Sequence, residues 1–202
     1  MMKLVDLPST LDMFSPSIYT VSIFQLGLTS ALSAYGLYLS YQNITRLQQY
    51  EEKSEKAAEW SNTAAQRLHK TRTTQTSGTV TLLVSFVAST ALLLVPRFAS
   101  PSVLIAAGVA NAMALYLSRT HMANFWNDNN QTRVPFVEKF NEAIRGSEQV
   151  VLLLGTLCLA WGAAGGIWAG MANGGSGMLG LAVWGLVVGG RVASIAPKMG
   201  WI

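Results

Sequence analysis

Five long apolar stretches constrain the fold of this chain more than any other feature of its sequence. They cover residues 17–41, 78–95, 102–118, 149–171 and 178–196. A helix needs about 20 apolar residues to cross a bilayer, within a range of about 17–25. A soluble domain of 202 residues would have to bury every one of these runs in a core thinner than the runs are long. The sequence therefore predicts an all-α, polytopic integral membrane bundle of five transmembrane helices.

Polar segments separate the apolar stretches and complete the organisation of the chain. The charged segment 42–77 is predicted to form a helical loop, and the polar loop 119–148 to contain a short amphipathic helix that Pro135 opens, with Phe136, Phe140 and Ile144 on one face. The predicted order is an N-terminal polar tail (1–16), the first transmembrane helix (17–41), the charged Ala-rich loop (42–77), a transmembrane hairpin (78–118), the second polar loop (119–148), a second hairpin (149–196) and a C-terminal tail (197–202).

The segment from Asn43 to Lys70 has the composition of a long, water-exposed helix. It is rich in alanine, glutamate, lysine and glutamine, which are strong helix formers, and Glu52 and Lys56 form a favourable i,i+4 pair. We expect a cytosolic amphipathic helix that ends near Lys70, followed by a frayed Thr/Ser-rich connector to Ser77. Two interpretations stay open, since the helix can lean on the membrane surface or bind a protein partner.

The distribution of basic residues predicts the orientation of the chain. Six Lys and Arg residues lie in 43–77, four lie in 119–148 and two lie at the C-terminal end, whereas the alternate side carries only Lys3 and Arg97. Cytosolic loops of membrane proteins are enriched in Lys and Arg. We therefore expect a lumenal or outside N-terminus and a cytosolic C-terminus. The short second and third spans favour the endoplasmic reticulum over other endomembranes or the plasma membrane.

Two N-glycosylation sequons disagree with this orientation. Asn43 and Asn130 each begin an Asn-X-Thr triplet. Both triplets fall on the side assigned to the cytosol, where no glycan is added. We expect both sequons to be unused.

Small residues recur at four-residue spacing in the predicted spans. Gly162, Gly166 and Gly170 lie on one face of the fourth helix, and Gly185 and Gly189 on one face of the fifth. Such faces let two helix backbones approach closely in a membrane. We expect the fourth and fifth helices to form an antiparallel pair with these glycines in the seam, although packing against a second copy of the chain is the alternative.

Polar side chains deep inside the predicted spans are few, and no charged residue is expected in mid-membrane. Gln25 and Asn111 are the amides. Asn111 is expected to make an interhelical hydrogen bond, the alternative being contact with a substrate in a central cavity. Ion-coupled transport is difficult without an intramembrane carboxylate, so the sequence disfavours a classical secondary transporter.

One polar cluster near the end of the third span could support chemistry. Arg119, His121 and Asp128 would supply a cation, an imidazole and a carboxylate at the membrane rim. The alternative interpretation is an interfacial anchor, in which Arg119 snorkels to the headgroups. The chain has no metal-ligand spacing and no catalytic motif, so no cofactor and no metal is expected.

Three functional hypotheses follow from these features. The favoured one is a non-catalytic scaffold or accessory subunit whose helix at 43–70 binds a protein partner. The alternatives are a small membrane enzyme acting on a lipid or lipophilic metabolite, and a facilitator or channel built from several copies. Expected partners are membrane lipids, a protein on that helix and further copies of the chain, but not nucleic acid, because the basic residues lie beside the spans.

Overall fold

The computed structural model describes residues 18–60, 62–95, 99–126 and 138–201, and it describes the backbone alone for residues 19, 49–60, 63–65, 67, 68, 126 and 138–143. Within these residues the chain forms five helices and no strand. The helices are α1 (Ile18–Trp60), α2 (Asn62–Leu94), α3 (Pro101–Trp126), α4 (Glu138–Ala172) and α5 (Gly177–Met199). The all-helical prediction is confirmed.

Four of these helices, α2 to α5, are long and apolar enough to cross a membrane. Large apolar side chains also cover their outer faces, as in Leu94, Met113 and Leu186, which are 65–77% exposed. A soluble monomer rarely exposes so much contiguous apolar surface. The N-terminal part of α1 is not among the four, because Gln25 and several serines and threonines interrupt its apolar run. Those polar residues are buried inside the bundle.

The centre of the bundle is α4. In its membrane-length window 61% of the residues are buried within the chain, against 28% in α2, 28% in α3 and 17% in α5. Leu153 packs over Gly36 of α1, and the Trp161 indole reaches Ser85 of α2. On its other sides Gly165 lies against Gly108 of α3, and the Ala160 carbonyl accepts a hydrogen bond from Trp184 of α5. Since α4 packs against all four other helices, most of its positions face apolar neighbours, which accounts for its nearly continuous apolar sequence.

The first two helices continue far beyond the apolar stretches 17–41 and 78–95 of the sequence. The predicted single helix at 43–70 is instead divided between the end of α1 and the start of α2. The predicted frayed connector at 71–77 was wrong, since these residues are helical. Hydroxyls there bond back to carbonyls of the preceding turn, as Thr74 Oγ1 does to the Lys70 carbonyl at 2.9 Å. This bond satisfies the hydroxyl without breaking the helix.

The second polar loop is also shorter than predicted. The third helix does not end at Ser118 but continues to Trp126, and α4 begins at Glu138. The predicted amphipathic helix is therefore the first part of α4, and its Ile144 is buried in the core. Pro135 and Phe136 lie outside the described residues, as does the Phe140 side chain.

The last two helices form an antiparallel hairpin. Ser176 caps α5 by accepting a hydrogen bond from Leu179 N, and the turn before it contains Gly174 at φ +89°. At the other end α5 passes Pro197 and ends at Met199, where Gly200 adopts φ +74°. Trp201 then returns to α1, and its Nε1 donates to the Tyr35 hydroxyl at 3.0 Å. The helices α4 and α5 are therefore neighbours, as predicted, and Trp201, which follows them in sequence, contacts α1.

Candidate functional site

A hydroxyl network joins three helices in the middle of the bundle. Ser33 Oγ of α1 lies 2.9 Å from Ser85 Oγ of α2. The Trp161 indole of α4 donates to the same Ser85 oxygen at 2.8 Å. All three side chains are buried. Their hydrogen bonds therefore satisfy polar groups that have no access to water and that lipid could not satisfy. Ser85 therefore fixes the relative positions of α1, α2 and α4.

The two amide side chains singled out in the predicted spans, Asn111 and Gln25, differ in their hydrogen bonding. Asn111 does not bond as predicted. Its Nδ2 donates to the Ala107 carbonyl of its own helix at 2.9 Å. This amide nitrogen therefore bonds within its own helix and does not make the expected interhelical bond. Gln25 is fully buried, and neither its Oε1 nor its Nε2 has a hydrogen-bond partner. The buried indole nitrogen of Trp168 has none either.

A polar clasp holds α1 and α2 to α4 where the apolar segments end. We define the clasp as Asn43, Gln75, Gly146 and Ser147. Gln75 Nε2 donates to Ser147 Oγ at 2.7 Å, and the Asn43 side chain occupies the space that a Cβ on Gly146 would need. Asn43 is 1% exposed, so the fold leaves no room for a glycan on this sequon, whereas Asn130 lies outside the described residues.

Beyond the clasp, α1 and α2 continue as a pair of helices. Residues 44–60 of α1 extend beyond Asn43, and α2 returns from Asn62 to the clasp at Gln75. A helix rises 1.5 Å per residue, so this part of α1 is about 25 Å long. We call residues 44–74 the stalk. Most of its side chains between 49 and 68 lie outside the described residues.

The glycines singled out by their spacing lie on outward faces. A Cβ built on Gly166, Gly170, Gly185 or Gly189 would meet nothing within 4 Å, and one on Gly162 would meet only Ala112 Cβ at 3.8 Å. The predicted α4–α5 seam is not formed by these residues, because α5 turns its bulky Trp184 and Val188 towards the core. Packing of the glycine faces against a second copy stays a prediction.

Other glycines make the close approaches. A Cβ on Gly108 would lie 2.8 Å from Gly165 Cα, so α3 and α4 touch backbone to backbone there. A Cβ on Gly180 of α5 would lie 2.5 Å from Ile167 Cγ2. These contacts have the function expected of small residues in a membrane bundle, at positions that the four-residue pattern did not mark.

Two arginine side chains, one from α3 and one from α5, converge on Gly155 of α4. A Cβ on Gly155 of α4 would lie 2.9 Å from Arg119 Nε of α3 and 3.7 Å from Arg191 Nη2 of α5. Gly155 thus provides the space that the Arg119 side chain fills. Arg191 Nε is buried without a hydrogen-bond partner. We call these three residues the arginine pair site. Both arginines belong to membrane-length helices, although Arg119 was predicted to lie in the second polar loop.

The predicted rim does not assemble around Arg119. His121 is exposed, whereas the Arg119 guanidinium lies over α4. Residues two apart on a helix point to nearly opposite sides, which explains the divergence. Asp128 lies outside the described residues. Among the described residues, no three His, Cys, Asp or Glu side chains are placed to hold a metal ion. The single cysteine, Cys158, donates to the Ala112 carbonyl at 3.3 Å.

Sequence reasoning missed Arg191 and Gly155, although a signal was present. In an antiparallel hairpin, residues equally distant from the turn lie at the same level. Gly155 lies 18 residues before the turn at 173–176 and Arg191 lies 15 residues after it. The hairpin therefore brings them within about one helical turn of the same level, and Arg191 Nη2 reaches to 3.7 Å from the Gly155 Cβ position. Ending the third span at Ser118 placed Arg119 outside the membrane and concealed the pair.

No protein-family model, curated protein or solved structure matches this chain.

Proposed function

We propose that this multi-pass membrane protein is a non-catalytic scaffold that presents the stalk to a protein partner. The observation that supports this most is the continuity of α1 and α2 through the clasp. A helical extension of about 25 Å beyond the clasp is more than a connection between two spans requires, since helix–helix connections in bundles usually take about 2–8 residues. The stalk carries charges of both signs, including Lys53, Lys56 and Glu52, which suit a polar protein surface.

The proposal includes a topology of five spans. The N-terminal part of α1, up to Asn43, is the additional span, and its support is its place beside α4, where Gly36 lies against Leu153. With the basic residues on the cytosolic side, the N-terminus is lumenal and the stalk and C-terminus are cytosolic. The endoplasmic reticulum is the proposed membrane.

Cysteine labelling in intact vesicles tests this topology. In a Cys158→Ala background, Asn62→Cys and Asn173→Cys introduce single thiols at exposed positions in the stalk and in the α4–α5 turn. We expect a membrane-impermeant maleimide to label Asn173→Cys from the lumenal side and Asn62→Cys from the cytosolic side. Labelling of both from one side would contradict the five-span count, and reversed labelling would contradict the orientation.

A second experiment separates the scaffold from the alternative, a membrane enzyme acting on a lipid or lipophilic metabolite through His121 and Asp128. If the stalk binds a partner, Lys53→Glu with Lys56→Glu should abolish cross-linking of that partner, while His121→Ala leaves it unchanged. Arg145→Glu, a charge reversal at an exposed position on α4, is the control for nonspecific electrostatics. Loss of cellular function in a correctly inserted His121→Ala variant, with stalk variants unaffected, would favour the enzyme.

A further inference from the structure

The arginine pair site concentrates positive charge without a described counter-ion. Arg119 Nε and Arg191 Nη2 both lie within 4 Å of the same point, the Cβ position of Gly155. Of the ten acidic residues in the chain, Glu148 is the one whose side chain is described, and it is exposed. Two like charges this close repel each other, the more so away from bulk water. A negatively charged group bound between the two guanidinium groups would attract both of them and outweigh their mutual repulsion.

Snorkelling does not explain this arrangement. An arginine that snorkels directs its guanidinium away from the bundle, towards water and headgroups. Here Arg191 Nε is buried and unpartnered, and Arg119 Nε packs against the α4 backbone where only glycine leaves room. Arginines from two different helices are thus turned inward onto a third. Both arginine residues are half-buried.

The site lies within one half of the proposed membrane. Gln149 of α4 lies beside the last carbonyls of α5, those of Lys198 and Met199. Gly155 is six residues further along α4, or about 9 Å at the helical rise. The hydrocarbon half-thickness is about 15 Å, so the site lies between the helix ends and the midplane. The nearer water boundary is thus the one at which α5 ends, and a phosphate group enters from that side.

We propose that Arg119 and Arg191 bind a phosphate group over Gly155, and that this group belongs to an anionic lipid or to a small soluble phosphate. Guanidinium groups bind phosphate oxygens through paired, charge-assisted hydrogen bonds, and two of them surround a tetrahedral anion better than one. The ligand joins α3 to α5 across α4. The proposal is independent of the scaffold function, since the stalk is not part of the site.

Thermal unfolding of the full-length protein in neutral detergent tests the proposal and separates the two sources. The additions are phosphatidylglycerol, phosphatidylcholine at the same mole fraction, and sodium phosphate against sodium chloride at equal ionic strength. A ligand at about 100 times its Kd should raise the Tm by about 5–10 °C. We expect this rise with phosphatidylglycerol and not with phosphatidylcholine. A rise with sodium phosphate that matches the rise with phosphatidylglycerol would support the site and assign it to a soluble phosphate.

Substitutions then locate the response. Arg119→Gln with Arg191→Gln should abolish the Tm rise, whereas Arg145→Gln, which removes an exposed arginine from α4, should retain it. If the double variant does not fold, the single variants decide, and each is expected to lose most of the rise. The proposal is overturned if the wild-type protein responds alike to both lipids and not to phosphate, or if the folded variants keep the full response.

Discussion

At the scale of single residues, the structure distinguishes glycines that bring helices together from glycines that do not. Gly108 and Gly165 form a backbone contact between α3 and α4, whereas Gly166, one residue further along α4, has open space beside it. Sequence spacing could not separate them, because α4 carries glycines on more than one face. The contacting face is selected by where large side chains such as Trp161 and Trp168 are buried.

This difference predicts opposite effects of the same substitution. Gly108→Ala would place a methyl group 2.8 Å from Gly165 Cα, and overpacking of this kind costs about 1–3 kcal/mol. Gly166→Ala meets nothing, and alanine is favoured over glycine within a helix by up to about 1 kcal/mol. In thermal unfolding in detergent, the first variant should be less stable than wild type and the second equal or more stable. Equal losses in both would show that the α3–α4 contact is not close.

At the scale of elements, the main difference from the prediction is where α1 ends and where α2 begins. The sequence predicted the helical character of 43–70 correctly but treated it as separate from the spans. Propensity cannot detect such continuity, because a polar helix and an apolar helix in register look like two segments of different composition. The Thr/Ser-rich residues 71–77 suggested a connector. Hydroxyl bonds to preceding carbonyls, such as that of Thr73 to His69 at 3.0 Å, accommodate these residues in the helix.

Continuity of α2 predicts that proline is not tolerated in this segment. Thr76 has an exposed side chain, so its substitution reports on the backbone alone. Thr76→Pro removes an amide hydrogen and clashes with the preceding turn, at a cost of about 3 kcal/mol or more. Thr76→Ala, the matched control, should be nearly neutral. The measurement is again thermal unfolding in detergent, and a Thr76→Pro variant as stable as the alanine control would indicate a flexible connector.

At the scale of the whole molecule, the sequence predicted the fold class but not the arrangement of the helices. Apolar run length fixed the all-helical character, and the short Gly-rich turn fixed α4 and α5 as neighbours. The central place of α4 follows from side-chain contacts between distant segments, such as Trp161 with Ser85, which no local pattern encodes. The arginine pair site depends on the same contacts, and so it escaped prediction.

A central α4 predicts that the two halves of the chain associate without a covalent link. Separately expressed fragments 1–130 and 131–202 should co-purify in mild detergent, because α4 packs against α1, α2 and α3. Trp161→Ala removes a buried indole and its bond to Ser85, and should reduce recovery of the complex. Leu186→Ala, on a side chain that is 77% exposed, should not. Recovery of each half alone would contradict the central position of α4.

The contact between Trp201 and Tyr35, 166 positions apart in sequence, has a consequence for biosynthesis. Membrane helices leave the ribosome in chain order, at about 5–20 residues per second. Until residue 201 has emerged, the Tyr35 hydroxyl cannot receive its indole partner, and the flank of α1 that Trp201 covers is accessible to other molecules. That interval lasts on the order of 10–30 s at the same rate. During it, a chaperone or a neighbouring nascent chain can occupy the flank of α1 that Trp201 later covers.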